Sequence, residues 1–237
     1  FALAMKAAAK MTRRRFLRME VRPDVVVLEN VAFSSQDRVG EFLRMIGEGS
    51  NHNLAATLDQ FGQAKNFGSL IVPKLKNPGE VLEKVRVKDL GGDIFLEGVR
   101  DRVVTVLRMA EALASRYHVV VANPPYMGRR GGMNDVLKKF INTYFVEGKA
   151  DLYAAFLKRA SLLGVEHSQH GLVTMQSWMF LSSYKGIREL LVRNHAINTV
   201  LHLGARAFPE IGGEVVQVAA TTFAKLHRPN NRPIFIR

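Results

Sequence analysis

This sequence predicts an α/β chain: part of a doubly wound sheet carrying a helical insertion. Three observations lead there. Two valine-rich runs, Val25-Val26-Val27-Leu28 and Val119-Val120-Val121, have the unbroken apolar character of strands buried in a sheet. The stretch between them, 34–116, carries helical patterns and turns and is far longer than an ordinary crossover, which needs about a dozen residues. Beyond residue 117 the pattern runs strand, helix, strand, helix, strand, loop, strand, as in a parallel sheet closed by an antiparallel hairpin. Three segments follow: helix plus sheet strand over 1–33, the helix-rich insertion over 34–116, and the C-terminal half of the sheet domain over 117–237.

Residues 1–18 are alanine-rich and read as a helix; Arg13-Arg14-Arg15 fall late in it, where cations suit the negative helix end. Val25 to Asn30 is expected to be a buried strand. Helices are expected over 36–46 and 54–65, a short strand or extended piece over 69–73, a turn at Asn77-Pro78-Gly79 and a short helix over 80–85. A long helix over 94–116 has the stripe Val99, Val103, Val106, Ala110, Leu113, spaced by fours and threes as one buried face requires.

The run 118–122 then stops at Asn123-Pro124-Pro125-Tyr126. Prolines cannot donate to a ladder, so the chain leaves the sheet here as a stiff extended loop. Asp151 is placed to cap or open a helix reaching Leu163, with Leu152, Phe156, Ala160 and Leu163 on one face. A strand over 171–175, a helix over 183–194, a strand over 197–203, a loop over 204–210 and a strand over 215–223 complete the pattern.

Composition narrows the function classes. With 237 residues, 47% of them hydrophobic, the chain can bury a sizeable core. No apolar run is long enough to span a membrane and no secretory signal opens the sequence. The absence of cysteine excludes disulfides and thiolate metal sites and fits a cytoplasmic protein; the seven histidines are scattered, and no metal site is expected. The net charge of +13 is uneven: +4 over 1–115 and +9 over 116–237, so positive charge concentrates where the proline loop lies. A docking polyanion would produce that bias.

Asn123, Pro124 and Tyr126 sit at the carboxyl end of a strand, where open α/β sheets bind ligands. The Asn123 amide oxygen and the Pro124 carbonyl are two acceptors of fixed geometry. Together they can take both hydrogens of an exocyclic ring amine, push its nitrogen towards tetrahedral character and aim its lone pair at an electrophile. Tyr126 offers a ring face for the base. Arg129 and Arg130 follow between glycines, well placed for phosphates.

Asn123-Pro124-Pro125-Tyr126 after a hydrophobic strand resembles the catalytic loop of amino-methyltransferases, especially N6-adenine-specific DNA methyltransferases. Asp151-Leu152-Tyr153 looks like that family's segment walling the cofactor pocket, and Phe208-Pro209 like its loop whose ring stacks on the flipped adenine. More narrowly, 123–128, 174–183 and 201–217 are similar to the large methyltransferases of bacterial phage-defence (BREX, PglX-like) systems. The resemblance covers roughly 116–227, about half the chain. It implies a partial Rossmann-like methyltransferase sheet, S-adenosyl-L-methionine as cofactor, and double-stranded DNA as partner, with other phage-defence subunits as further candidates. It also implies Asn123, Pro124, Pro125 and Tyr126 as catalytic, Phe208 as substrate-binding, and Asp151 and Tyr153 as cofactor-binding; Arg129 and Arg130 join the substrate-binding set by their place between glycines after the loop. No strand–glycine–helix cofactor element is found in 1–122, so the chain is expected to be a piece beginning after the cofactor half. A protein glutamine or RNA base as acceptor, or an inactive DNA-binding fragment, are the alternatives. Trp178 reads as pocket lining or buried anchor; Tyr153 and Phe156 follow helical spacing into a core.

Overall fold

The computed structural model describes residues 24–34, 36–128, 131–204 and 217–237. The helix expected over 1–18 lies outside them. Within them, Tyr117–Ala122 forms β1 and pairs in parallel with β2, Gly164–Met175, placing Val121 opposite Gly171 and Ala122 opposite Leu172. β3 (Ala196–Gly204) and β4 (Val218–Ala224) form the expected antiparallel hairpin, but β4 lies between β2 and β3. A short β5, Ile234–Ile236, which the pattern had not suggested, extends the sheet in parallel beside β3. The order β1-β2-β4-β3-β5 has four strands running one way and β4 against them.

That topology gathers several strand ends on one side of the sheet. The carboxyl ends of β1, β2 and β3 and the start of β4 share one sheet edge: Met175 and Gly204 are both opposite Val218. The strand ends at 122, 175 and 204 therefore lie together, where open α/β sheets bind ligands.

Residues 24–34 correct one expectation. Val25 to Asn30 is extended but pairs with no strand among the described residues, and Val25 and Val27 are 69% and 72% exposed. Val26 and Leu28, on the opposite face, pack against the helical core, and the Glu29 N–H points at Met109 Sδ, 3.3 Å away. Alternation against one helix surface satisfies the segment, so the apolar run does not enter the sheet. The 69–73 piece likewise finds no ladder; a single 3₁₀ turn, Gly68–Leu70, precedes extended Ile71 and Val72.

Helices dominate 36–116 as expected: α1 Val39–Met45, α2 His52–Gln60, α3 Ala64–Phe67, α4 Pro78–Val87 and α5 Ile94–Ala114. Asn51 caps α2 through the Leu54 N–H and Asp93 caps α5 through those of Phe95 and Leu96. The predicted stripe of α5 is buried throughout, and with Phe42, Leu58, Phe61 and Val85 it forms a core of its own. A second core lies under the sheet's covering helices α7 (Leu152–Leu163) and α8 (Lys185–Asn194).

α6, Asp135–Tyr144, joins the two. Its Leu137 and Ile141 meet Leu70 from the helical part and Leu152 and Ala155 from α7. Beside this seam, Arg159 of α7 is 1% exposed and donates to the carbonyls of Ser69 (2.6 Å), Ile71 (2.8 Å) and Leu113 (2.8 Å). Leu113 lies in the last turn of α5, whose unpaired carbonyls favour a cation. Burial lowers the guanidinium pKa to about 10, still charged at neutral pH. One buried arginine thus ties α7, α5 and the 69–71 segment together.

Candidate active site

β1 is covered on one face only. Val120 and Ala122 pack into the core beneath α7, whereas Val119 and Val121 are exposed. The run is a strand as expected, without burial on both faces. At its end the ladder stops, and Asn123 is exposed, Pro124 buried, Pro125 exposed and Tyr126 half-buried. Among the described residues, neither the Asn123 amide nor the Pro124 carbonyl is engaged in a hydrogen bond. Two acceptors at one loop are thus without a partner among the described residues.

Tyr126 leans into the molecule. Its ring meets that of Tyr153 edge-on, with centroids 6.0 Å apart and planes at 83°, and its hydroxyl is buried without a partner among the described residues. Burial pushes its phenol pKa up, so the ring stays neutral. Below it, Tyr153 is fully buried, stacks on Tyr184 and exchanges a 2.8 Å hydrogen bond with Ser177 Oγ. Burial pushes the Tyr153 hydroxyl far up as well. Trp178 is an anchor: it is buried, and its Nε1 donates to Thr174 Oγ1 at 3.1 Å. Ser177 and Trp178 stand on the turn leaving β2, so the aromatic floor joins two neighbouring strand ends.

Asp151 has the N-cap position expected of it and a second task. Its Oδ1 accepts from Tyr153 N–H at 3.2 Å, capping α7, and from Met127 N–H at 2.9 Å, just past the proline loop. The backbone closes the same junction: Leu152 N–H donates to the Met127 carbonyl at 3.1 Å, and Gly128 and Asp151 form an isolated antiparallel bridge. The carboxylate is 6% exposed; burial pushes its pKa up while the Met127, Tyr153 and Leu152 N–H groups oppose the shift. Asp151 Oδ1 is occupied by backbone donors and the Tyr153 ring is enclosed.

The structure therefore brings Asn123, Pro124, Pro125, Tyr126, Asp151 and Tyr153 into one region. Phe208, Arg129 and Arg130 lie outside the described residues. The ends of the segment carrying Phe208 are described: Gly204 closes β3, and Gln217 accepts from the Gln176 N–H at 2.9 Å while the two glutamine side chains also bond to each other. Sequence reasoning missed the contacts of Met127, made through its backbone amide, and of Ser177. A backbone contact across 24 residues leaves no trace in residue type.

With this geometry in place, a protein-family model described as "Eco57I restriction-modification methylase" matches residues 6–208. The chain belongs to that family. Among relatives of this Eco57I-type chain, the adenine-specific methyltransferase BrxX of Escherichia coli O9:H4 (strain HS) is 41% identical over 187 residues, covering 78% of this chain and 15% of BrxX. The adenine-specific methyltransferase PglX of Lacticaseibacillus casei (strain Zhang) is 34% identical over 235 residues, covering 95% of this chain and 19% of PglX. The chain thus spans less than a fifth of the length of either relative. Among solved structures, the M protein of the type I restriction enzyme EcoKI is similar at 13% identity and a TM-score of 0.38, covering 85% of this chain and 45% of that one.

Proposed function

We propose that these residues carry the acceptor side of an N6-adenine-specific DNA methyltransferase of restriction-modification or phage defence, working in the cytoplasm on double-stranded DNA with S-adenosyl-L-methionine as methyl donor. The observation that carries the reading is the Asn123–Tyr126 loop at the carboxyl end of β1, its two acceptors unengaged among the described residues, in a chain of the Eco57I methylase family. The relatives BrxX and PglX, both adenine-specific methyltransferases by name, support the choice of acceptor.

In this reading an adenine leaves the duplex and enters beside the loop. Asn123 and Pro124 accept its two amine hydrogens, and Pro125 holds the carbonyl's direction by its fixed φ. Tyr126 gives the base a ring face on one side and Phe208 on the other; Arg129 and Arg130 hold flanking phosphates. Alkylation makes the amine nitrogen acidic enough to lose its proton to water, so no strongly shifted base is required. Catalysis is then positioning and electrostatic complementarity.

On the donor side, Asp151 Oδ1 is taken by the Met127 and Tyr153 N–H groups and the Tyr153 ring is enclosed, which leaves Asp151 Oδ2 as the atom of this pair for S-adenosyl-L-methionine. Both residues also hold the loop and its floor.

Asn123→Ala in methylation-competent protein is expected to abolish N6-methyladenine while leaving DNA affinity within about twofold, because the lost contact belongs to the reacting amine. Mass spectrometry of nucleosides from treated DNA checks this and identifies the modified unit. Undiminished N6-methyladenine would refute the assignment, and methylated glutamine or RNA in its place would reassign the acceptor.

A further inference from the structure

We propose that Asp151 is a positioning residue for the reaction loop: its carboxylate sets where Asn123 and Pro124 point by holding the Met127 amide against the first turn of α7. The inference rests on the reading of Asn123–Tyr126 as that loop. It assigns Asp151 a role different from cofactor contact.

The loop is fixed at two ends. At Ala122 the parallel ladder with Leu172 ends, and four residues past Asn123 the Met127 N–H meets Asp151 Oδ1 at 2.9 Å. Between them stand two prolines whose φ angles cannot adjust. A stiff segment pinned at both ends has one direction available for its amide and carbonyl; released at one end, it swings as a lever. The Leu152 N–H to Met127 carbonyl bond and the Gly128–Asp151 bridge lie at the same pin, so the carboxylate closes a junction the backbone has begun.

Capping alone does not call for this residue. Serine or asparagine caps a helix about as well as aspartate. A buried carboxylate is costly unless its oxygens are used, and here one oxygen serves two donors belonging to different elements. Oδ2 faces the loop too: a Cβ built on Gly128 would stand 3.4 Å from it. The chain passes the carboxylate as glycine, and the approach is close.

This suggests a separation of function. Serine, one bond shorter, still caps α7 through Tyr153 N–H but does not reach Met127. Asparagine keeps an oxygen at the right distance for both. Asp151→Ser and Asp151→Asn are to be compared in methylation-competent protein, beside Asn123→Ala. For the serine variant we expect kcat to fall about 100-fold, as a displacement on the order of 1 Å at a reacting group does, with KM for DNA and for S-adenosyl-L-methionine within about threefold. Amide hydrogen exchange at Met127 should quicken at least about tenfold, as loss of one hydrogen bond permits, with the melting temperature within a few degrees of the parent. The asparagine variant should recover most of the lost kcat and the Met127 protection. A serine variant as active as the parent, or one in which Met127 stays protected, overturns the proposal; so does an asparagine variant that loses as much as serine. The exchange readout does not depend on the reaction. Methylation surviving Asn123→Ala would therefore remove the amine-holding reading while Met127 exchange still decides the pin.

Discussion

At Tyr126 the ring and the hydroxyl have separate fates. The ring stands at the loop, edge-on to Tyr153, while the hydroxyl is buried with no partner among the described residues. An unpaired buried hydroxyl contributes nothing favourable, and base–aromatic stacking is worth about 1–3 kcal/mol. Tyr126→Phe should therefore lower kcat/KM by less than about threefold and leave the melting temperature equal or higher, whereas Tyr126→Ala should lose roughly 10- to 100-fold. Steady-state methylation with a duplex substrate checks both; equal losses in the two variants would mean that the hydroxyl, not the ring, carries the contact. The loop itself was legible in the residues, because Asn-Pro-Pro-Tyr behind a valine run permits few conformations. The Asp151 cap was legible too, since Asp before an apolar helical stripe has a local cause. Its second acceptor contact was not, because Met127 participates through an amide every residue but proline possesses.

Among the elements, α7 carries the most consequence. Its first turn holds the loop, its buried face covers β1 and β2, and Arg159 reaches from it to three carbonyls of the helical part. Removing the guanidinium leaves those acceptors buried and unpaired. Arg159→Ala should cost about 3–5 kcal/mol, and Arg159→Lys most of that, because an ammonium lacks the planar fork that spans three directions. Urea denaturation of this chain measures it; a loss below about 1 kcal/mol for Arg159→Ala would show the carbonyls finding water instead. The pattern of α5 was readable in full because one helix buries one stripe. α6 went unread although Asn134 caps it through the Leu137 N–H and Leu137 and Ile141 share a face. Ten residues beside a glycine-rich loop give a short signal. The Val25 run failed for the opposite reason: continuous β-branched residues say that a segment is extended, not that a partner strand stands beside it.

For the whole molecule, two buried histidines at the far end of the sheet set a pH dependence. His170 on β2 stacks on Phe223 at 4.7 Å, and His195, just before β3, meets the same ring edge-on at 5.1 Å. His170 shares a 2.9 Å hydrogen bond with Ser168; neither His195 nitrogen has a partner among the described residues. Burial holds both near a pKa of about 4, with Lys225 adding repulsion at each, His195 adding more at His170, and Glu166 partly offsetting at His195. Unfolded imidazoles titrate near 6.5, so between the two values the unfolded chain binds more protons. The stability tied to the neutral rings is complete above about pH 6.5 and declines as pH falls towards 4, by up to about 1.4 kcal/mol per pH unit per histidine. Urea midpoints at several pH values should show that slope, and His195→Leu should flatten it; an unchanged slope would place the pH dependence elsewhere.

Local rules were enough to read the class of the fold, the long helix and the proline loop, because apolar period, capping chemistry and the missing proline N–H act within a few residues. Charge belongs with these: the excess of basic residues beyond 116 is a property of the chain wherever it folds. Strand neighbours were another matter. That β4 lies between β2 and β3, that β5 joins the edge, and that 24–34 stays out of the sheet depend on which surfaces meet. The same holds for the Asp151 pin and the Arg159 tie, where buried polar groups find partners 24 and up to 90 residues away. Burial creates the demand for those partners, and burial exists only once the chain has packed.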